Sequence, residues 1–531
     1  MAEQTHRDPS REKSREKWGT KIGIIMAVAG SAVGLGNFLR FPVQAAQNGG
    51  GAFMIPYFVS FLLVGIPLMW IEWAIGRYGG LFGHGSAPFI FDKLAKNRVL
   101  KYLGVIGVFG PIVIFIYYTY IESWLLGYAF FAITGKLLSF TTPQAMKTFL
   151  LSYQGLDPQS NLMTAYVFFL ITFGLNAWIL YRGLKGGIEW LCRWAMPVLF
   201  AFGAIVAIRV LTLGAPNPSI PDWNILNGLG FLWNPDFSVL SNSRVWLAAA
   251  GQIFFTLSVG IGAIITYASY LSHGDDVVLS GLSAASTNEL AEVVIGGSIV
   301  IPAAFAFLGP IGATQAANSG AFNLGFVTMP LIFGKIPFGE LFALLWFALL
   351  FLAGITSSVS LAEPAIAFVR DEFKLTRNKA VSIFAIATFI LCQPAIFFLG
   401  NGVVDELDFW GGTFCLVVFA LIETILFVWI YGIENAWKEM HHGAELAIPG
   451  FYKFIIKYVT PLFLIFILGF WIIQQALPTL MMKGISSQNV PYILATRIGL
   501  VGLFIVIALL VRIAYYRRKE NLLRQGSGGQ A

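Results

Sequence analysis

Stretches of mostly apolar residues long enough to cross a bilayer recur along the whole chain, and that repetition constrains the fold more than any other feature. A helix needs roughly 20 such residues to span the hydrocarbon core, and within that core every backbone polar group must find its partner inside the protein. Twelve spans can be laid without overlap at residues 21–44, 51–79, 99–134, 163–182, 188–212, 243–270, 278–306, 338–370, 380–400, 409–432, 451–477 and 489–515. Only 11% of the residues are charged and the mean hydropathy is +0.75, whereas soluble domains carry roughly 25% charged residues. A water-soluble fold is excluded, and little chain is left over for a soluble catalytic domain.

Reactive side chains are correspondingly scarce. Cys192, Cys392 and Cys415 form no CxxC pair and accompany no histidine cluster, which argues against a metal centre or a disulfide framework. His441 and His442 lie between spans, and no span carries a nucleophile, a base and an orienting group together, so an enzyme is not expected. Residues 1–20 are polar and charged rather than a short apolar signal segment, so span 1 itself is expected to direct insertion.

Basic residues give the orientation. Arg7, Arg11, Lys13, Arg15, Lys17 and Lys21 precede or open span 1, and Arg517, Arg518, Lys519 and Arg524 follow span 12. Both ends are therefore expected on the cytoplasmic side, which an even number of spans requires. Lys93, Lys96, Arg98 and Lys101 after span 2, and Lys374, Arg377 and Lys379 after span 8, mark further inside loops, while residues 213–242 contain no Lys or Arg and read as outside. The net charge of +7 is thus a topogenic excess facing anionic lipid, and nucleic acid is not an expected partner. Three parts follow: a cytoplasmic segment at 1–20, a membrane domain at 21–515, and a cytoplasmic tail at 516–531 whose closing Gly-Ser-Gly-Gly-Gln-Ala run is a flexible or appended end.

Two spans carry glycine clusters that a continuous helix disfavours, since each Gly costs roughly 1 kcal/mol relative to Ala. They are Gly30-Ser31-Ala32-Val33-Gly34-Leu35-Gly36-Asn37 in span 1 and Thr256-Leu257-Ser258-Val259-Gly260-Ile261-Gly262 in span 6. Val33-Gly34-Leu35-Gly36 and Val259-Gly260-Ile261-Gly262 are similar, and each sits in the first span of a five-span set, which divides the chain into spans 1–5, spans 6–10 and two extra spans. Freed backbone in a membrane is tolerated where it lines a cavity, and Gly-interrupted spans at matching positions of two halves point to a transport site. Close packing through small residues is the competing explanation, but it does not account for the hydroxyls and amide among the glycines. Ala32, Asn37, Thr256, Ser258 and Asn288, with Thr356-Ser357-Ser358 in span 8, supply the oxygen ligands that a hard monovalent cation prefers. A single mid-span hydroxyl usually bonds back to its own helix; only the association of these groups with the breaks points to a cation.

At these residues the sequence resembles the neurotransmitter:sodium symporter family. The likeness runs from about Trp18 to span 12 and is densest in GLGNFLRFPVQAAQNGGGAFM (34–54), IPLMWIEWAIGRYGG (66–80), YYTYIESW (117–124) and GQIFFTLSVGIGAIITYASY (251–270). It implies an all-α membrane protein of about 12 transmembrane helices with an inverted five-helix repeat and broken helices 1 and 6. It further implies alternating access and sodium-driven uptake of a small neutral hydrophobic amino acid at a bacterial inner membrane.

Carried across residue by residue, the resemblance places a first sodium site at Ala32, Asn37, Thr256 and Asn288, completed by the substrate carboxylate. A second falls at Gly30, Val33, Ala353, Thr356 and Ser357. The substrate pocket maps to Ser31, Ala32, Leu35, Gly36, Ile114, Tyr118, Phe255, Thr256, Ser258, Ile261, Ser357 and Leu361, with Tyr118 on the carboxylate and Phe255 as a lid. Arg40 and Asp408 match the outer gate; Arg15 and Asp371 match the inner one, with Trp18, Ser269 and Tyr270 nearby. Several positions depart from the family's bacterial prototype: Ser31 replaces an asparagine, Ile261 a phenylalanine, Ile114 a valine, Leu361 an isoleucine, and Glu363 a glutamine near the inner gate. Glu363 has two readings, a functional intramembrane carboxylate or a cytoplasmic-side partner for Arg15 or Tyr270. Glu292 takes the place of the small hydroxyl residue of chloride-dependent relatives. Ringed by Tyr57, Gln252 and Asn288, it is expected to stand in for chloride and to change protonation during the cycle. A sodium-independent exchanger and a membrane amino-acid sensor are the alternatives; the preferred amino acid, the ion stoichiometry and a homodimer are left open.

Overall fold

The computed structural model describes residues 16–527 except 96, 98, 158, 159 and 161, with side chains up to Glu520. Among the described residues, ten helices are long and apolar enough to cross a membrane: Gly51–Gly80, Leu100–Ile133, Met163–Tyr181, Leu184–Leu211, Val278–Asn318, Gly339–Phe373, Arg377–Phe397, Val403–Ile430, Phe451–Leu480 and Val490–Glu520. They correspond to spans 2–5 and 7–12. Span 1 is the pair Lys21–Ala32 and Gly36–Gln47, bent by 46°, and span 6 is the pair Ser243–Leu257 and Ala263–Ala268. Both spans expected to be broken are interrupted.

Local chemistry accounts for both interruptions. The first half of span 1 starts where the Thr20 hydroxyl accepts the Gly23 amide at 2.9 Å, and it stops where Val33 turns extended at ψ 92°. Span 6 stops at Ser258 in the left-handed region (φ 54°), followed by Gly260 (φ 76°) and Gly262 (φ 91°), conformations that only glycine adopts without strain. A side chain at Gly260 would meet the Leu416 carbonyl of span 10, and one at Gly262 the backbone of Gly107 in span 3. The freed Gly260 amide donates to the Glu72 carboxylate of span 2 at 2.6 Å, so the break is held as well as permitted.

Span 8 packs most extensively along span 3, and also against the first half of span 1. That places Thr356 and Ser357 beside the first break. Spans 11 and 12 lie outside the ten-span core, where Phe466, Ile498 and Ile505 stand exposed as lipid-facing groups.

Several boundaries differ from the sequence reading. Span 5 begins at Leu184, span 9 at Arg377 and span 10 at Val403, so Asp408 lies inside span 10 in the wide turn Asp408–Phe414. Span 7 runs on to Asn318 through a kink at Gly309 (φ 70°) just before Pro310. Short helices Pro143–Tyr153, Ile225–Trp233 and Ile433–His441 occupy segments read only as loops.

Candidate functional site

Four of the oxygen-bearing groups expected at the first sodium site come together where the breaks of spans 1 and 6 meet span 7. Asn37 donates to the Thr256 hydroxyl at 3.1 Å and to the Asn288 side-chain oxygen at 2.8 Å. In the alternative orientation of the Asn288 amide, which gives up the bond from Asn37, its nitrogen lies 3.2 Å from the Ala32 carbonyl and 3.1 Å from that of Thr256. Asn37 also accepts the Gly34 amide at 2.8 Å, which ties the site to the unwound turn of span 1. Asn37, Thr256 and Asn288 are all buried. Buried oxygens of this kind are stable only when they are satisfied by one another or by a ligand.

Glu292 lies directly behind this cluster and is fully buried. Tyr57 and Gln252 each donate to it at 2.9 Å, and the Thr256 hydroxyl donates to its other oxygen. Thr256 thus touches the Asn37 and Asn288 amides and the carboxylate at once. Asn288, expected in the same ring, instead reaches Thr256 and Glu289. The Tyr57 phenol oxygen also lies 2.8 Å from Glu289, so one phenol with a single hydrogen stands between two carboxylates. Glu289 escaped the sequence reading, although an acidic residue next to Asn288 inside a span is a signal in its own right.

Residues expected at the second sodium site lie between spans 1 and 8. The Ser357 hydroxyl lies 3.2 Å from both the Gly30 and Ser31 carbonyls and 3.0 Å from Ala353 O. Thr356 donates back to Leu352 O at 3.0 Å and Ala353 O at 3.1 Å, the ordinary behaviour of a helical hydroxyl, while Ser357 crosses to the other helix. Val33 is buried at the break, its amide bonded to Ala29 O at 2.7 Å.

Between the two sets lies a cavity lined by Ser31, Ala32, Leu35, Gly36, Ile114, Tyr118, Phe255, Ser258, Ile261, Ser357 and Leu361, eleven of the twelve pocket positions expected from the sequence. Thr256 is the exception, its hydroxyl being turned to Glu292 and the amides. Gly34, Asn37, Ser360, Gly412 and Leu416 complete the lining. Ser360 follows Ser357 by three positions and so shares its helix face, a spacing that could have revealed it.

The two ends of the cavity differ. Arg40 lies over the Phe255 ring at 4.4 Å, and Asp408 accepts from Tyr117 at 2.6 Å. Arg40 and Asp408, expected as a gate pair, form no ion pair within 4.0 Å among the described residues, because each side chain is engaged by an aromatic neighbour. At the opposite end the chain is tied shut. Arg370 bonds Glu16 at 2.7 Å, Asp371 at 2.9 Å and the Tyr270 hydroxyl at 3.1 Å. Arg377 reaches Glu16 at 2.9 Å and Glu363 at 2.8 Å, and Tyr270 donates to Glu363 at 2.7 Å. Trp18 anchors the N-terminal segment by donating to Tyr267 O at 2.9 Å, and Ser269 donates to Thr266 O at 2.6 Å. Arg15 lies outside the described residues. Glu363 is therefore a partner of Tyr270, and its main cation, Arg377, was counted in the sequence only as a topogenic charge.

A model of the sodium:neurotransmitter symporter family matches residues 15–149 and 168–518. Among curated proteins, an uncharacterised sodium-dependent transporter of Methanocaldococcus jannaschii is 33% identical over 462 residues, covering 85% of this chain and 89% of its own. The sodium-dependent serotonin transporter of Drosophila melanogaster is 26% identical, covering 86% of this chain and 76% of its own. Among solved structures, that of MhsT in complex with L-phenylalanine superposes with a TM-score of 0.73 at 30% identity, covering 86% of this chain and 99% of its own.

Proposed function

The chain belongs to the sodium:neurotransmitter symporter family, whose members are membrane transporters and not enzymes, and from that premise we propose that it carries a small neutral hydrophobic amino acid inward with two sodium ions and without chloride. The observation that carries the reading is the contact of Asn37, Thr256 and Asn288 with one another and of Thr256 with Glu292. A cation there would be held by neutral oxygens and the substrate carboxylate, with Glu292 as the fixed countercharge.

The chemistry is one of shared charge. Two sodium ions beside one substrate carboxylate leave an excess positive charge in a low-dielectric site, where unpaired charge is costly. Glu292 offsets it without an ion drawn from solution. Sodium and substrate then raise each other's affinity by the same factor, as any linked pair must. Ile114, Ile261, Leu361 and Leu416 offer the side chain of the substrate apolar contact, and a charged side chain buried among them would lack a partner. L-phenylalanine in the MhsT complex is a ligand of the class proposed here. The chain would work in a bacterial cytoplasmic membrane with both ends inside, the Glu16, Arg370 and Arg377 network facing the cytoplasm.

The test is equilibrium binding of labelled neutral amino acids to the purified protein in sodium chloride, sodium gluconate and choline chloride. Binding is expected in both sodium salts and absent in choline; undiminished affinity in choline overturns the proposal.

A further inference from the structure

Four serines line the cavity, Ser31, Ser258, Ser357 and Ser360, and each hydroxyl has one hydrogen to give. Ser258 gives its hydrogen to Ser31 O at 2.9 Å. Ser357 has its own hydrogen turned to carbonyls, those of Gly30, Ser31 and Ala353, and its oxygen also meets the Tyr118 phenol. Ser360 donates to Ser357 O at 2.7 Å. Ser31 Oγ and Ser360 Oγ are themselves 2.7 Å apart, and the Ser360 hydrogen is already committed to a carbonyl that cannot donate in return. The hydrogen between the two hydroxyls therefore belongs to Ser31. Were it otherwise, the Ser360 and Ser357 oxygens would face each other at 2.7 Å with no hydrogen between them.

Ser31 Oγ is left as an acceptor for which the described residues supply no donor. Ser31 is 4% exposed and Ser360 1%, so neither can rely on bulk water, and both stand on the wall of the cavity. Leu35, Ile114, Phe255, Ile261, Leu361 and Leu416 give the same cavity apolar side-chain surface, and Asn37 and Tyr118 are its other polar side chains.

We propose that Ser31, fixed in direction by Ser360, selects among neutral amino acids those whose side chain carries a hydrogen-bond donor, a hydroxyl or an indole N–H. The proposal rests on the amino-acid reading of this cavity and narrows it. A wholly apolar pocket disfavours a hydroxylated isostere by about a hundredfold, because the hydroxyl is stripped of water with nothing in exchange. An acceptor aimed at that hydroxyl removes the penalty, and a neutral hydrogen bond contributes about three- to tenfold beyond it.

The experiment compares two isosteric pairs, L-valine with L-threonine and L-phenylalanine with L-tyrosine, for binding to the full chain at saturating sodium. It uses the wild type, Ser31→Ala and Ser360→Ala. In the wild type the hydroxylated member of at least one pair is expected to bind within about threefold of its partner, or more tightly. In Ser31→Ala the ratio for that pair should move toward the apolar member by tenfold or more. Ser360→Ala, which frees the Ser31 hydrogen to turn, should give an intermediate ratio. A ratio taken within one variant is insensitive to a general loss of folded protein. Hydroxylated members about thirtyfold weaker in both wild-type pairs, or ratios unmoved in Ser31→Ala, overturn the proposal while leaving sodium-dependent binding intact; the latter result would mean that Ser31 Oγ serves the ammonium common to every amino acid. Absence of sodium-dependent binding for all four ligands overturns the amino-acid reading and this inference together.

Discussion

Glu292 carries the sharpest consequence at the scale of single residues. Its carboxylate is engaged by Tyr57, Gln252 and Thr256, so replacing it by serine removes the charge, leaves space where the carboxylate stood and supplies a hydroxyl beside it. Glu292→Ser should make sodium-dependent uptake require chloride, with activity in gluconate falling at least tenfold below that in chloride. Equal uptake of the variant in both salts would contradict the role of countercharge. For the cation sites, Asn37→Ala and Thr356→Val each remove one oxygen and should raise the sodium concentration for half-saturation by roughly tenfold, the scale of one lost polar contact in a buried site. Titration of substrate binding against sodium checks both. Residue identities at these positions were legible because hydroxyls and amides stand out in apolar spans. Their pairings were not: Asn37 meets Thr256 across 219 residues and Ser357 meets Ser31 across 326, distances over which only the folded chain decides who faces whom. Glu289 shows the same limit, since the Tyr57 bridge to Glu292 becomes visible only in three dimensions.

At the scale of elements, the breaks in spans 1 and 6 were readable because glycine is the one residue whose presence inside a membrane helix needs a reason. Gly260 and Gly262 combine positive φ with backbone from spans 10 and 3 close by. Gly262→Ala should therefore cost about 1–2 kcal/mol for the left-handed conformation alone, with more for the contact with Gly107. A lowered melting temperature in detergent, together with loss of sodium-induced stabilisation, is the expected outcome; an unchanged melt would mean that the break tolerates a side chain. The short helices Pro143–Tyr153 and Ile225–Trp233 were not readable. Each has only a few buried residues, Met146, Leu150 and Tyr153 in one and Ile225, Gly228 and Leu232 in the other, too brief a periodicity to stand out between long apolar spans. The kink at Gly309 was masked for a related reason, because Gly-Pro within a span reads equally well as its end.

Across the whole molecule the two ends of the cavity are in different states. Glu16, Glu363, Asp371, Arg370, Arg377 and Tyr270 close one end, while Arg40 and Asp408 remain apart at the other, each held by an aromatic ring or phenol. In the proposed alternating-access cycle these states exchange, and the buried ion pairs of the closed end must then be broken, which is costly when one partner is left uncompensated. Arg377→Ala should accordingly shift the population toward opening at the Trp18 end. Thiol labelling of a single cysteine introduced at Ser269 should become several-fold faster, and unchanged labelling would mean that Arg377 only anchors span 9. The central claim, coupled movement of sodium and a neutral amino acid without chloride, is tested most directly by uptake of labelled L-phenylalanine or L-leucine into proteoliposomes. Accumulation driven by an inward sodium gradient should be the same with external gluconate as with chloride and should vanish when potassium replaces sodium. Uptake that persists in potassium, or that collapses in gluconate, would contradict the account.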